Sequence, residues 1–145
     1  VILRDADEAD LPVVARILGE WVAETPWMPK LHTAEEDLWF VTKLRHEARM
    51  RVAALGPRAS DVMGFLVRQD GEVLALYVAA GARGRGIGRA LMADAMAASP
   101  EGGLWTFQAN AAARGFYAAL GLSEVMMTDG ENEEGLPDVR LEWSR

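Results

Sequence analysis

The tightest constraint on this chain is the run Arg83-Gly84-Arg85-Gly86-Ile87-Gly88-Arg89, set between an apolar strand pattern over 73–79 and an apolar helix pattern that begins at Ile87. Glycine lacks a Cβ, so the backbone can turn sharply there and bring its N–H groups close to an anion. The helix that follows adds the positive end of its dipole. Three arginines add full charges in a segment with no acid. A phosphate-bearing ligand is the expectation, and the plain alternative is a basic turn that needs glycine only for its shape.

Two common phosphate motifs do not fit. A P-loop requires a lysine and then a hydroxyl residue after its last glycine, whereas Gly88 is followed by Arg89 and Ala90, so no magnesium-ligating hydroxyl is present. A dinucleotide fingerprint started at Gly84 would need glycine at its sixth place. That place is Arg89, and beyond the next strand Gln108 and Asn110 stand where a ribose-binding acid would be.

At 145 residues and 50% hydrophobic, the chain suits one domain over 1–145, large enough to bury roughly two thirds of its unfolded surface. Neither an apolar run of membrane-spanning length nor a leader pattern is seen, so no membrane association is expected and the cytoplasm is the expected location. With no cysteine and two separate histidines, His32 and His46, neither a disulfide nor a metal site is expected. The net charge of −7 opposes nucleic-acid binding and leaves the arginine loop as a local exception. An acidic body with one basic pocket suits an enzyme that holds an anionic cofactor and attracts a cationic amine.

Hydrophobic periodicity supplies the element order. A strand over 1–4 leads through Asp7 or Asp10, either of which can cap, into a helix with Leu11, Val14, Leu18, Trp21 and Val22 on one face and Pro12 in its first turn. Thr33-Ala34-Glu35-Glu36 has the form of a capping box, opening a second helix with Leu38, Val41 and Leu44 inward. Strands over 50–55, 62–68 and 73–79, joined by short turns, predict an antiparallel meander. Beyond the arginine loop come a helix ending before Pro100, a strand over 104–109, a helix over 111–120 stopped by Gly121, and strands over 124–128 and 139–143. The crossover from 73 to 109 makes one strand pair parallel, so the class is α+β with a mixed, largely antiparallel sheet of six to seven strands and about four helices.

The arginine loop resembles the acetyl-CoA loop of the GNAT superfamily of N-acetyltransferases, Arg/Gln-x-x-Gly-x-Gly/Ala, here carried by Arg83, Gly86 and Gly88. The preceding Leu76-Tyr77-Val78 resembles the family's strand before that loop, and the later Asn110, Phe116-Tyr117 and Leu120-Gly121-Leu122 resemble its second segment at the right separation. One departure is Ala80, where a proline is common; it should loosen the turn without removing a ligand group. The resemblance implies the acyl-CoA N-acyltransferase fold, acetyl-CoA as donor and a primary amine, on a small molecule or a peptide, as acceptor. Homodimers are common among such proteins.

A CoA-like donor needs anion donors, a free strand edge and an apolar slot. The pyrophosphate is expected on Arg83, Gly84, Arg85, Gly86, Ile87, Gly88 and Arg89, and the pantetheine arm on the main chain of Leu76, Tyr77 and Val78, whose side chains are expected to pack in the core. The resemblance assigns Tyr117 as the acid that protonates the leaving thiolate, against a reading in which Phe116 and Tyr117 simply pack. Asn110 can cap its helix or bond the arm. For the base, Glu72 leads, with His32 as alternative beside its plain reading as a solvated residue before the Thr33 cap. Two segments are expected to wall the acceptor: the loop with Trp27, Met28 and His32, and the acidic loop with Glu134 and Asp138, aromatic and acidic groups that suit an amine cation. The competing reading is a CoA-binding sensor without turnover.

Overall fold

The structure, a computed structural model, describes all 145 residues, Val1–Arg145. In chain order it contains β1 (Ile2–Asp5), α1 (Leu11–Glu24), α2 (Ala34–Glu47), β2 (Arg49–Ala54), β3 (Val62–Gln69), β4 (Glu72–Val78), α3 (Ile87–Ala98), β5 (Glu101–Phe107), α4 (Ala111–Ala119), β6 (Ser123–Met127) and β7 (Asp138–Ser144). The strands form one seven-stranded sheet in the order β1-β2-β3-β4-β5-β7-β6. This is the expected α+β architecture, a mixed and mostly antiparallel sheet with four helices. No helix is long and apolar enough to cross a membrane.

Side-chain alternation along β3 divides the core in two. Phe65 and Val67 point to the face covered by α1 and α2, where Val14, Ile17 and Val41 are fully buried. Leu66 points to the opposite face, with Leu91 and Met92 of α3, Leu104 of β5 and Leu141 of β7. A strand apolar on both sides in this way belongs at the centre of a sheet.

Local signals place the helices. Pro12 occupies the first turn of α1, and Thr33 and Glu36 make the reciprocal capping box of α2. The inward face expected for α2 is narrower than its pattern: Val41 is buried, but Leu38 is 40% exposed and Trp39 65% exposed. Of the two acids offered as caps, Asp7 accepts from the Ala9 N–H at 3.1 Å, while Asp10 is 1% exposed and does different work. Its carboxylate takes both guanidinium nitrogens of Arg4, at 2.7 and 2.9 Å, and the Asp7 N–H at 2.9 Å, tying β1 to the start of α1.

The sheet's one parallel pair is the feature that matters for function. β4 and β5 pair only at Glu72↔Gly103 and Val73↔Leu104, after which they part. Meanwhile β5 stays paired with β7 as far as Phe107, and β4 with β3 as far as Val78. The parallel contact expected along the whole crossover is therefore confined to its first two residue pairs.

The Arg4 hydrogen bonds are the leading cause that holds Asp10 below the usual carboxylate range. Its contribution to stability is therefore present above the unfolded-state pKa near 4 and is lost as the pH falls through the lower folded value. Asp10→Ala, which leaves Arg4 unpaired, is expected to cost about 3 kcal/mol in urea denaturation and to flatten the acid limb of the stability curve.

Candidate active site

A wedge opens where β4 leaves β5, and its vertex is pinned. Gly102 lies so close to Gly71 that a Cβ would collide with the Gly71 carbonyl and the Trp143 ring; only glycine permits that approach. The Gly103 N–H donates to the Gly71 carbonyl at 3.0 Å. Arg140 of β7 donates to Glu72 at 2.6 Å and lies over the Trp105 ring at 5.7 Å. Just past the vertex the β3 register skips Leu74, since Val67 faces Ala75 and Arg68 faces Val73. Such a bulge bends its strand and adds twist. The edge of β4 that faces β5 is thus unpaired from Leu74 to Val78.

At the open end, residues 80–82 form a tight helical turn closed by the Ala82 N–H on the Ala79 carbonyl at 2.9 Å, so the turn forms with Ala80 in place of proline. Gly84 and Gly86 both have φ of +79°, and a Cβ on either would meet nothing within 4 Å. Gly86 caps α3 without any side-chain bond, and no backbone N–H from Gly84 to Arg89 finds an acceptor in the protein. A row of free donors at the N-terminus of a twelve-residue helix fits a pyrophosphate. Ile87 is buried beneath this row, and the inner side of Gly88 faces Phe116 and Val78.

The three loop arginines differ in their surroundings. Arg83 pairs with Glu24 at the end of α1 and donates to the Val78 carbonyl at 3.3 Å, so its guanidinium braces the loop against α1. Arg85 and Arg89 are exposed and take part in none of the chain's ion pairs, which leaves them for an anion.

Tyr117 sits on α4 with its ring buried, packed edge-on against Phe116 at 5.1 Å. Its hydroxyl makes no hydrogen bond within the protein, and Arg68 Nε is the one fully enclosed side-chain polar atom without a partner, so the Tyr117 hydroxyl reaches solvent. Burial, and next the nearby Tyr77 hydroxyl, push Tyr117 well above the usual phenol range. It therefore keeps its proton at neutral pH. The Asn110 side chain accepts from the Ala113 N–H at 3.0 Å, making it the α4 cap. Leu76 and Val78 pack on the α3 side of the sheet and Tyr77 on the α1 side.

Glu72, expected as the leading base, stands at the vertex with its carboxylate paired to Arg140, so in this structure it braces the two strands. His32 is bonded to Glu133 and lies 3.5 Å from Glu36, linking the loop after α1 to the loop between β6 and β7. Those carboxylates, Glu133 foremost, raise its pKa above the ordinary imidazole value, which suits a latch rather than a base. Asp138 also changes role: it accepts from the Thr128 hydroxyl and from the Asn132 amide at 3.3 Å, and so holds its own loop.

The loop expected to wall an acceptor gathers aromatic rings. Trp27 meets Trp21 at 5.9 Å and Phe107 at 5.7 Å, and Trp21 meets Tyr77 at 5.3 Å, all edge-on. Met28 follows in the same loop, its N–H on the Thr25 carbonyl at 3.1 Å. Glu134 is half-buried nearby; burial and then the Glu133 charge raise its pKa. Burial, followed by the charge of Glu134, pushes Tyr77 up to about 12. Sequence reasoning missed Gln108, whose amide donates to the Thr128 and Asp138 carbonyls, both at 3.0 Å, and Asn132, which donates to the Leu136 carbonyl at 2.8 Å. Nothing in their sequence neighbourhood marks them, because every partner depends on how the loop closes.

The model of the Acetyltransferase (GNAT) family matches residues 12–122, more than half of the chain. A search of curated proteins finds no significant match. Among solved structures, a ribosomal-protein-alanine N-acetyltransferase from Brucella melitensis is 23% identical, with all of both chains covered and a TM-score of 0.76. The apo form of YjaB from Escherichia coli is 22% identical over 97% of this chain and 95% of its own, with a TM-score of 0.79. The protein yncA of Salmonella typhimurium, solved with its cofactor acetyl-CoA, is 18% identical over 99% and 92%, with a TM-score of 0.73. At these identities the likeness shows the fold.

The latch is testable. In an NMR titration the His32 ring is expected to titrate above the ordinary imidazole value near 6.5, and Glu133→Gln is expected to return it toward that value. Added salt should shrink the difference, because the pair is exposed.

Proposed function

Because the chain belongs to the acetyltransferase (GNAT) family, with acetyl-CoA as its acyl donor, we propose that it acetylates a primary amine of a small molecule or peptide, with Tyr117 as general acid. The observation that carries this reading is the buried Tyr117 ring whose free hydroxyl holds its proton at neutral pH. Acetyl-CoA would supply an acetyl thioester.

The chain's own groups have separable tasks. The free N–H groups from Gly84 to Arg89, with Arg85 and Arg89, would hold the diphosphate. The unpaired edge of β4 offers N–H and C=O groups to an extended arm in the manner of an added strand. A backbone N–H near Val78 would stabilise negative charge on the carbonyl oxygen under attack. The Tyr117 Oη would deliver its proton to the departing sulfur, while the proton shed by the attacking amine would pass to solvent. Glu72 and Arg83 keep the vertex and the loop in place.

Gly86→Val is expected to weaken acetyl-CoA binding at least tenfold, about 1.4 kcal/mol, in isothermal calorimetry. The double variant Arg85→Ala/Arg89→Ala, free of the backbone strain at Gly86, should also weaken it, and unchanged affinity in both would contradict the cradle. For Tyr117→Phe, kcat should fall roughly a hundredfold with donor Kd unchanged. An unaltered kcat would remove the acid role.

A further inference from the structure

The loop between β6 and β7 holds an acid with no assigned partner. Of its acids, Glu133 is bonded to His32, and Asp138 to Thr128 and Asn132. Asp129 and Glu131 are exposed. Glu134 alone among them is half-buried with neither an ion pair nor a side-chain hydrogen bond partner. A carboxylate partly withdrawn from water with no direct ion-pair partner is costly to keep, and such groups are normally paired.

We infer that Glu134 is the anchor for the acceptor's ammonium group, and that the Trp21, Trp27, Tyr77 and Phe107 rings hold a compact, flat apolar body beside it. The four residues are half-buried, and their rings meet edge-on in one connected cluster rather than being closed inside the core. A pocket with aromatic walls and one well-placed charge gives both affinity and orientation, and the rings add cation–π attraction to the same ammonium. The site adjoins the wedge. The His32–Glu133 bond brings the loop of Glu134 against the loop that carries Trp27, whose ring meets Phe107 of β5 at 5.7 Å.

Two further features favour a small acceptor over a polymer end. The His32–Glu133 pair ties the anchor's own loop to the loop that carries Trp27 and Met28, which limits how far the two can part. The loop itself is stiff, its base clamped by Gln108 and its interior by Asn132, so Glu134 is held where the fold puts it.

This inference rests on the acetyl-transfer reading for its meaning but can be tested apart from it. Tryptophan fluorescence of the full chain saturated with CoA would be titrated with phenethylammonium and with neutral 2-phenylethanol. The ammonium is expected to bind at least tenfold tighter than the alcohol. Glu134→Gln should abolish that preference while leaving the alcohol's affinity unchanged, and Trp27→Ala should weaken both. A preference that survives Glu134→Gln, or no saturable quench by phenethylammonium, overturns the anchor. Binding of trialanine amide as tight as phenethylammonium overturns the compact acceptor. CoA release from acetyl-CoA, followed in the same samples, separates the two readings: Glu134-dependent binding without release sinks acetyl transfer alone, and release independent of Glu134 sinks the anchor alone.

Discussion

The site depends on a sheet that is held together at one point and forced apart immediately beyond it. Gly71, Gly102 and Gly103 let β4 and β5 approach at the vertex, and the Glu72–Arg140 pair locks them there. The unpaired Leu74 then turns β4 away while β7 keeps β5 straight. A continuous sheet would separate the α1 face from the α3 face completely. Here the parting joins them, so a donor lying over α3 and α4 and an acceptor lying under α1 can meet in the gap.

The charges follow the same division. On the donor side the free groups are positive: main-chain N–H groups, Arg85 and Arg89. On the acceptor side the unpaired group is negative, Glu134, in a body of net charge −7. Charged side chains next to each site are neutralised by one another, Arg83 by Glu24 and His32 by Glu133, so they shape walls and add little net field. Under the proposed reading, a field that differs between the two ends of one gap would sort an anionic donor from a cationic acceptor before either is bound.

Legibility in the sequence tracked locality. The Thr33 capping box, the positive-φ glycines and the Gly121 stop were readable because each depends on residues a few places apart. The β2-β3-β4 order followed from short turns. The extent of the β4–β5 pairing was not readable, since it is decided by Gly102 meeting Gly71 and Trp143, contacts set by the folded sheet. The same holds for Glu72, whose counter-ion lies 68 residues away in Arg140. Leu38 shows the opposite failure: its spacing is helical and apolar, but only the Val41 side of α2 reaches the core. Periodicity names a face, and packing decides how wide it is.

Tyr117 shows why a helix of nine residues is held so firmly at both ends. Asn110 caps its first turn; the Gly121 N–H closes on the Ala118 carbonyl at 3.0 Å and the Leu122 N–H on the Tyr117 carbonyl at 3.1 Å. Arg114 adds a brace to Glu124 at 2.8 Å and to the Gln108 carbonyl at 3.0 Å. A helix this short is marginal by itself, so these bonds and the Phe116 contact must fix its orientation. The consequence is a phenol whose ring cannot tilt and whose hydroxyl has no internal partner to leave. In the proposed acid role, a proton donor placed in this way would need no reorganisation at the moment of transfer, a saving that a phenol which merely packs has no use for.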